Sequence, residues 1–265
     1  MARIEVQDIS FHYEGHNGTR TALSHVSLAV EDGEFVCLVG RSGCGKTTLL
    51  RLLAGLQSPA SGQILLDGKP ITGPGTDRAV VFQNYALFPW MTARKNVEFG
   101  IRQANRTLSR SAIRERAMDF LGKVSMADAA DQYPCELSGG MKQRVAIARA
   151  LAMDTDTLLL DEPFGALDAR IRKELQLLLE QLWQSGERRK TVIFVTHDIA
   201  EAAFLADRVI YMTPGKIAAD IPIALPHPRE ALSDEEAKTM MDTRRELLEL
   251  FYQNSGLEVD GHEEI

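Results

Sequence analysis

The residues with the clearest chemistry form a glycine-rich stretch at positions 40–48, with the sequence GRSGCGKTT. This stretch fits the pattern G-x-x-x-x-G-K-[ST], in which backbone N–H groups surround phosphate oxygens. The apolar run 35–39 before it predicts a buried strand, and the leucine-rich segment 49–54 after it predicts a helix. A strand, a glycine-rich loop and a helix in this order predict a nucleotide-binding site.

Within this phosphate loop, residues 40–48, we expect a division of labour. The glycines let backbone N–H groups point inward, and the start of the following helix adds partial positive charge. Lys46 can reach the β- and γ-phosphates, and the Thr47 hydroxyl can ligate Mg2+. The loop residues predicted to contact the nucleotide are Gly40, Ser42, Gly43, Cys44, Gly45, Lys46, Thr47 and Thr48.

Two adjacent carboxylates end a second apolar strand. Segment 157–160 is followed by Asp161 and Glu162. In a phosphate-loop protein an acid at this place holds Mg2+, and the neighbouring carboxylate is suited to orient or deprotonate water. The alternative is that both side chains cap the next helix. The phosphate loop favours the catalytic interpretation.

Polar side chains follow two further buried strands of the predicted sheet. Gln83 comes after 79–82, and His197 comes after 191–196. Ligands bind at the carboxyl ends of such strands, so Gln83 could ligate Mg2+ or orient a water. His197 could donate a hydrogen bond to a γ-phosphate. Taken alone, each residue fits an ordinary capping or strand-end position better.

A further candidate anion site lies at the start of a helix predicted within 137–152. Ser138 is a good N-cap residue, and Gly139 and Gly140 follow it. Glycines weaken the first turn of a helix, so their presence indicates that something approaches the backbone closely. A helix N-terminus attracts anions. A plain N-cap is the alternative, and these residues alone favour it.

The N-terminal pattern predicts an antiparallel β layer beside the nucleotide core. Segments 3–11 and 22–30 alternate between apolar and polar residues, as half-buried strands do. A polar, glycine-containing turn is predicted at 11–18. Its Tyr13 could stack on adenine, because a base needs only a flat π face, or it could be an ordinary surface aromatic.

The rest of the chain predicts a helical insertion and a short tail. Residues 86–152 are expected to form an inserted helical subdomain, with helices at 94–105 and 109–124. We expect one main α/β domain over 1–225, which includes this insertion. The tail at 226–265 is predicted to contain a helix at 233–252 and a frayed acidic end at 258–265.

Composition excludes several classes of protein. The formal net charge of -7 gives no basic footprint for nucleic acid. No apolar run approaches the length of a membrane span, and the N-terminus lacks the apolar core of a signal peptide. The cysteines Cys37, Cys44 and Cys135 are odd in number and lack metal-ligand spacing, which favours a reduced, cytosolic setting.

These motifs, in this order, resemble the ATP-binding subunit of ABC transporters over about residues 3–225. The resemblance implies a phosphate-loop NTPase fold of the ABC type, with a mixed sheet, and implies ATP and Mg2+ as cofactors. The signature 137–141 reads LSGGM, with Met141 where the family has Gln, and other phosphate-loop ATPases and kinases lack it. The remaining family motifs are the Walker A loop at 40–47, the Q-loop Gln83, Walker B at Asp161 and Glu162, the D-loop Asp168, the switch histidine His197 and the A-loop Tyr13.

The resemblance also implies a second chain. In ABC proteins two cassettes sandwich two ATP molecules head to tail, so Ser138 and Gly140 would contact the γ-phosphate held by the other chain's Walker A loop. A single cassette here implies a homodimer or a heterodimer with a second cassette. Met141 does not threaten ATPase function, because the glycine backbone carries the phosphate contacts.

Within the family, segments 73–75, 81–84, 87–90 and 137–144 resemble the nitrate/sulfonate/taurine import branch. This implies an ATPase that energises import of nitrate, taurine or an alkanesulfonate. It would be peripheral on the cytoplasmic face of the cell membrane, meet the permease through 86–97 and serve a solute-binding protein indirectly. The alternatives are a soluble ABC ATPase of repair, translation or assembly, and a phosphate-loop kinase.

Overall fold

The computed structural model describes residues 2–15, 18–165, 167–184, 189–229 and 232–253. The acidic end predicted to fray, 258–265, lies outside the described residues. The strands, in chain order, are β1 (Ile4–Gly15), β2 (Gly18–Val30), β3 (Phe35–Gly40), β4 (Ser61–Leu66), β5 (Lys69–Pro70), β6 (Arg78–Val81), β7 (Thr157–Asp161), β8 (Thr191–Thr196), β9 (Arg208–Thr213) and β10 (Lys216–Pro222). The helices are α1 (Lys46–Leu53), α2 (Ala93–Ala104), α3 (Arg110–Lys123), α4 (Gly139–Ala152), α5 (Ala169–Gln184), α6 (Ile199–Leu205) and α7 (Asp234–Gln253).

A mixed sheet of six strands, in the order β10-β9-β3-β8-β7-β6, forms the centre. All neighbours pair in parallel except β10, which is antiparallel to β9. Strands β3 and β8 are buried at every position and mostly apolar, as strands of a covered parallel sheet are. The carboxyl ends of β3, β6, β7 and β8 therefore meet at one edge, where the candidate residues follow them.

Each face of this sheet has its own core, and β3 shows the division. Phe35 and Cys37 pack with the helices α2 to α6, whereas Val36 and Leu38 pack with α1 and the N-terminal strands. Successive side chains of a strand point to opposite faces, so one apolar strand contributes to both cores. The helices α2 to α6 therefore lie on one face of the mixed sheet, and α1 with the N-terminal strands lies on the other. Strand β3, which leads into the phosphate loop, is packed between them.

The predicted antiparallel layer is confirmed, with the order β2-β1-β4-β5. The turn predicted at 11–18 is wrong in its extent, because β1 and β2 pair as far as Gly15 and Gly18. Tyr13 therefore lies on a strand, directly opposite Arg20. Cross-strand pairing holds this polar segment extended, although its composition alone is typical of a turn.

The helical insertion contains α2, α3 and α4, which pack on one another. Thr92, Ser109 and Ser138 cap the three helices, each accepting a backbone N–H from the first turn. The structure adds helix α6 and the strands β5 and β10, for which the pattern predicted nothing. Helix α6 has seven residues, too few for a clear helical period.

The segment after the mixed sheet stays attached to the main domain up to Arg229. This side chain is 3% exposed and donates to the carbonyls of Ala203 and Ala206 at the end of α6, at 2.9 and 2.8 Å. Glu180 of α5 accepts from the backbone N–H of Arg229 at 3.0 Å and lies 2.6 Å from Nδ1 of His227. The first residues of the predicted tail are therefore bound to the core.

Candidate nucleotide site

The phosphate loop curls around the end of its own lysine. Lys46 is buried, and its Nζ donates to the carbonyls of Gly40 and Arg41 at 2.6 and 3.0 Å. Gly45 has φ 115°, and a Cβ atom there would lie 2.8 Å from the carbonyl oxygen of Ala22. Only glycine fits this conformation and this close approach.

Helix α1 begins immediately after this loop without a side-chain cap. Its N-cap residue Gly45 is in the left-handed region and offers no side-chain acceptor. The first backbone N–H groups of a helix need partners from outside the helix. The start of α1 therefore has no side-chain cap, and the anion site predicted there stays a prediction.

Thr47 and Asp161 lie together although they are far apart in the chain. The Thr47 hydroxyl donates to Oδ1 of Asp161 at 3.0 Å. Burial raises the pKa of Asp161, and the hydrogen bond from Thr47 offsets part of this effect. The carboxylate of Asp161 and the hydroxyl of Thr47 are two hard oxygen ligands. The hydrogen bond from Thr47 stabilises the negative charge of the carboxylate only in part.

Glu162 receives both predicted polar residues of the neighbouring strands. Oε2 of Glu162 accepts from Nε2 of Gln83 at 3.3 Å, and Oε1 lies 3.4 Å from Nδ1 of His197. The backbone of Glu162 has φ 46°, a strained value for a residue with a side chain. Its carbonyl accepts from Nε2 of Gln143 in α4 at 3.1 Å, which fixes this turn to the helical subdomain.

A cavity of about 330 Å³ joins these groups. It is lined by Tyr13, Arg20, Ala22, Ser42, Gly43, Gly45, Lys46, Thr47, Thr48, Gln83 and Glu162. A cavity of about 380 Å³ elsewhere, around Asp77 and Arg78, contains none of the predicted site residues, so its size does not make it the site of chemistry. The cavity over the phosphate loop is the candidate nucleotide site.

Tyr13 forms one wall of this cavity. Its hydroxyl lies 3.1 Å from Oγ1 of Thr48, in the first turn of α1. Burial raises the pKa of Tyr13, but hydrogen bonds from Thr48, Gln57 and Arg51 outweigh that effect, so the net pKa is lowered. The ring is thereby fixed against the loop rather than left free in solvent.

The signature residues do not line this cavity. Ser138 Oγ accepts from the backbone N–H of Met141 at 3.3 Å and caps α4. A Cβ atom on Gly139 would lie 3.2 Å from the hydroxyl of Tyr85. Asp168 accepts from the N–H of Ile171 at 3.0 Å. Within one chain, Ser138, Gly139, Gly140 and Asp168 are not brought together with the phosphate loop.

Helix α4 is instead tied to the loop after Gln83. Nη1 of Arg149 donates to the carbonyl of Ala86 at 2.7 Å, and Nη2 donates to that of Tyr85 at 3.2 Å. Both loop residues have positive φ values, 65° for Tyr85 and 45° for Ala86. Burial lowers the pKa of Arg149 to about 10. No role was predicted for Arg149 from the sequence, although a cation in the otherwise apolar segment 145–152 was a usable signal.

The apolar cluster within 86–97 presents aromatic rings at the surface. Trp90 is 69% exposed, and its ring centroid lies 5.6 Å from that of Phe88. Buried Asn96 shapes the loop, because its Oδ1 accepts from the N–H of Phe88 and its Nδ2 donates to the carbonyl of Met91. A polar side chain thus fixes the segment that holds an exposed tryptophan.

Two cavity residues, Arg20 and Ala22, were also missed by the sequence analysis. Both lie on β2, opposite the strand that carries Tyr13. The signal was present in the strand pairing, since residues directly opposite each other in an antiparallel pair share a face. The error in the turn at 11–18 hid that pairing.

This geometry defines the class of the protein. A phosphate loop and a carboxylate at the end of a neighbouring strand are the common features of phosphate-loop nucleotide hydrolases. The sequence model for the family described as "ABC transporter" matches residues 23–165, so the chain belongs to the ABC transporter family. The ATP-binding subunits of this family hydrolyse ATP to power transport. The family assignment confirms the predicted ATPase activity and ATP binding.

Relatives of known role are similar over most of the chain. The nitrate import ATP-binding protein NrtD of Synechococcus elongatus is 48% identical over 89% of this chain and 86% of its own length. The bicarbonate transport ATP-binding protein CmpD of Synechocystis sp. is 44% identical over 95% of this chain and 89% of its own. The predicted recognition of an ABC importer subunit is confirmed.

A solved structure confirms the predicted fold. The ATP-binding cassette MJ0796, in a dimeric post-hydrolysis state bound to ADP and Pi, superposes with a TM-score of 0.77 at 33% identity. The match covers 83% of this chain and 98% of that one. Among the described residues of the present chain, no helix is both long and apolar enough to cross a membrane.

Proposed function

We propose that this chain is the ATP-hydrolysing subunit of an importer for a small oxyanion, nitrate or bicarbonate. It acts as a dimer, peripheral on the cytoplasmic face of the cell membrane. The cavity in which Lys46, Thr47, Gln83 and Glu162 converge carries this proposal. NrtD and CmpD support the two solutes. Taurine and alkanesulfonates, which the sequence also predicted, remain predictions.

ATP is proposed to lie in the 330 Å³ cavity with its base toward Tyr13 and its phosphates on the loop. The open start of α1 supplies backbone N–H groups to the phosphates. Lys46 exchanges its present bonds to loop carbonyls for phosphate oxygens, because a charged acceptor binds an ammonium more strongly than a neutral one.

Mg2+ fits the donors at the strand ends and in the first turn of α1. Thr47, Asp161 and the amide oxygen of Gln83 are the hard oxygen ligands that this ion prefers, and substrate phosphates and water complete its shell. Among the described residues no group of three or more His, Cys, Asp or Glu side chains surrounds a metal site, which agrees with a metal held largely by substrate. When bound, the ion neutralises phosphate charge.

Glu162 is proposed as the residue that accepts a proton from the attacking water. Its carboxylate lies at the cavity wall and is 23% exposed, so water reaches it. Gln83 and His197 hold its two oxygens in place. His197 is 63% exposed and can turn from Glu162 to a γ-phosphate oxygen. A positioned base of this kind accelerates proton transfer about 10²–10⁴-fold.

The second half of each site is proposed to come from a second cassette. Ser138, Gly139, Gly140 and Asp168 lie outside the cavity of their own chain and would close the site of a partner. The dimeric MJ0796 cassette supports this arrangement. ATP then bridges two chains, and its hydrolysis releases them, which makes the nucleotide a conformational switch.

Segment 86–97 is proposed to contact the permease. The exposed ring of Trp90 beside Phe88 is the kind of aromatic pair that is enriched at protein interfaces. The clamp of Arg149 on the loop carbonyls connects this surface to α4. Movement of the signature helix would therefore displace the permease-facing loop.

The test separates the ATPase from the solute. The purified chain should hydrolyse ATP only with Mg2+. A deletion strain should recover growth on nitrate as sole nitrogen source, or on limiting bicarbonate, with the wild-type gene but not with Lys46→Ala. ATP hydrolysis without recovery on either solute would overturn the transport assignment. Recovery only on taurine or an alkanesulfonate would replace the proposed solute.

A further inference from the structure

An arginine that belongs to none of the sequence motifs lies over the phosphate loop. Arg20 of β2 lines the nucleotide cavity, and a Cβ atom on Gly43 would lie 3.6 Å from its Nη2. On the β layer it stands directly opposite Tyr13. Arg20 is therefore positioned between the ring proposed to meet the base and the loop proposed to hold the phosphates.

Among the described residues, none is paired with the charge of Arg20. Its backbone is paired with that of Tyr13, but its side chain is exposed and makes no hydrogen bond or ion pair to the parts of the chain that the structure describes. The other charged side chains that line the same cavity are Lys46 and Glu162. The chain as a whole is acidic, with a formal net charge of -7. A cation without a partner beside an anion site therefore indicates that an anionic ligand binds there.

We propose that Arg20 is a nucleotide-binding residue that holds the phosphate chain of ATP or ADP from the open side of the loop, opposite Lys46. This rests on the proposed position of the nucleotide. A guanidinium offers several donors in a plane that matches phosphate oxygens. Arg20 and Lys46 then hold the phosphates from two sides, while Tyr13 holds the base.

The experiment measures binding of fluorescent mant-ATP and mant-ADP to the full chain. Arg20→Gln should weaken both about tenfold, the size of one lost charge-assisted hydrogen bond at an exposed site. Arg20→Lys keeps the charge but loses the planar set of donors, so it should weaken binding by less than Arg20→Gln, about threefold. The matched control is Arg3→Gln, an exposed arginine that already pairs with Glu5 and Glu31.

Salt and turnover distinguish a phosphate contact from a packing effect. The difference between wild type and Arg20→Gln should shrink in 0.5 M NaCl, because exposed charges are screened. For hydrolysis, KM for ATP should rise about tenfold, with a smaller change in kcat. Circular dichroism melting checks that the β layer still folds.

Two results would overturn the inference. One is an Arg20→Gln affinity within twofold of wild type while Lys46→Ala loses binding. The other is equal loss in Arg20→Lys and Arg20→Gln, which would show that charge is not what matters. If the wild-type chain bound no mant-ATP, or Lys46→Ala bound it as well as wild type, the proposed nucleotide site itself would be wrong.

Discussion

Two helices of this chain begin at glycine-containing turns, and the two beginnings differ. Helix α1 starts after Gly45, which has φ 115° and no side-chain cap, and its first turn faces the cavity. Helix α4 starts after Ser138, which is extended and accepts the N–H of Met141. An uncapped start leaves its first N–H groups to water or a ligand, whereas a capped start already has a partner for one of them in the free chain.

This difference shows how one chain holds the two halves of a site. The start of α1 has a buried lysine that can bind phosphate, and a nearby carboxylate that can hold Mg2+ against the phosphates. The lysine in the first turn of α4, Lys142, is only half-buried, and this helix start lies away from the cavity. We interpret α1 as the nucleotide-binding end and α4 as the end that completes a partner's site.

The largest expected effect tests the α1 end. Lys46→Ala should weaken ATP binding about a hundredfold, because the phosphates lose their buried cation. Lys142→Ala removes the lysine in the first turn of α4 and should leave the affinity of the isolated chain unchanged. Titration with mant-ATP measures both. Equal losses would show that the two helix starts are not functionally different.

Glu162→Gln should lower the rate of ATP hydrolysis about 10²–10⁴-fold, because an amide cannot accept the proton from water. ATP binding should persist, so the variant should accumulate as an ATP-bound dimer. Phosphate release and gel filtration with ATP and Mg2+ measure the two properties. The control is Glu174→Gln, an exposed carboxylate in α5 that pairs with Arg170. A monomeric Glu162→Gln chain would contradict the two-chain site.

The N-cap of α4, Ser138, has a matched counterpart in Ser109, the N-cap of α3. Ser138 and Ser109 cap helices of 14 residues each, α4 and α3, and each accepts one backbone N–H. Replacing either by alanine should lower the free energy of unfolding by about 1 kcal/mol. Only Ser138→Ala should also reduce kcat, about tenfold, through the lost contact to the partner's phosphate.

Urea unfolding and steady-state hydrolysis separate these two effects. The affinity of the Ser138→Ala monomer for mant-ATP should equal that of wild type. If Ser109→Ala lowered kcat as much, the loss would reflect helix stability, and the proposed role of α4 in a partner's site would be withdrawn.

The smallest expected effect is the dependence of thermal stability on pH that Asp161 causes. Because burial raises the pKa of this carboxyl in the folded chain, its contribution to stability is present below the ordinary pKa of aspartate, about 4. That contribution is lost as pH rises through the raised pKa. Asp161→Asn cannot ionise, so it should melt above wild type at pH 7, and the difference should shrink toward pH 4.

Melting curves without nucleotide or Mg2+ measure this difference. The control is Asp119→Asn, an exposed carboxyl that pairs with Lys123, which should give no gain in Tm at pH 7. A wild-type chain that melts above Asp161→Asn at pH 7 would show that the carboxylate is fully compensated by Thr47 and its surroundings.

The sequence predicted those elements whose structure depends on one short segment of the chain. The strand, loop and helix around Lys46 follow from apolar runs and glycine spacing within one short segment. Gln83, Glu162 and His197 could be placed together because parallel strands end at one edge of a sheet. Their convergence on Glu162 is thus a consequence of topology that the sequence already implied.

The failures share a physical cause, namely pairing between segments that the local pattern does not show. The strand character of Tyr13 depends on its partner Arg20, so the polar composition around it indicated a turn. Arg149 and Arg229 were missed because their partners are backbone carbonyls of other segments. Every residue has a backbone carbonyl, so the identity of a residue does not show whether its carbonyl accepts a hydrogen bond from an arginine.

Arg229 has a consequence for how such chains can vary and be engineered. Its guanidinium satisfies the last carbonyls of α6, whereas in the α7 helix beyond it only Leu247 is buried. A truncation just before Arg229 would leave those carbonyls without their donor, and a truncation just after it would not. Arg229 therefore sets the shortest length at which the end of α6 keeps its donor, whereas a fusion or exchanged tail that replaces α7 also loses the packing of Leu247 and Phe251 against the core.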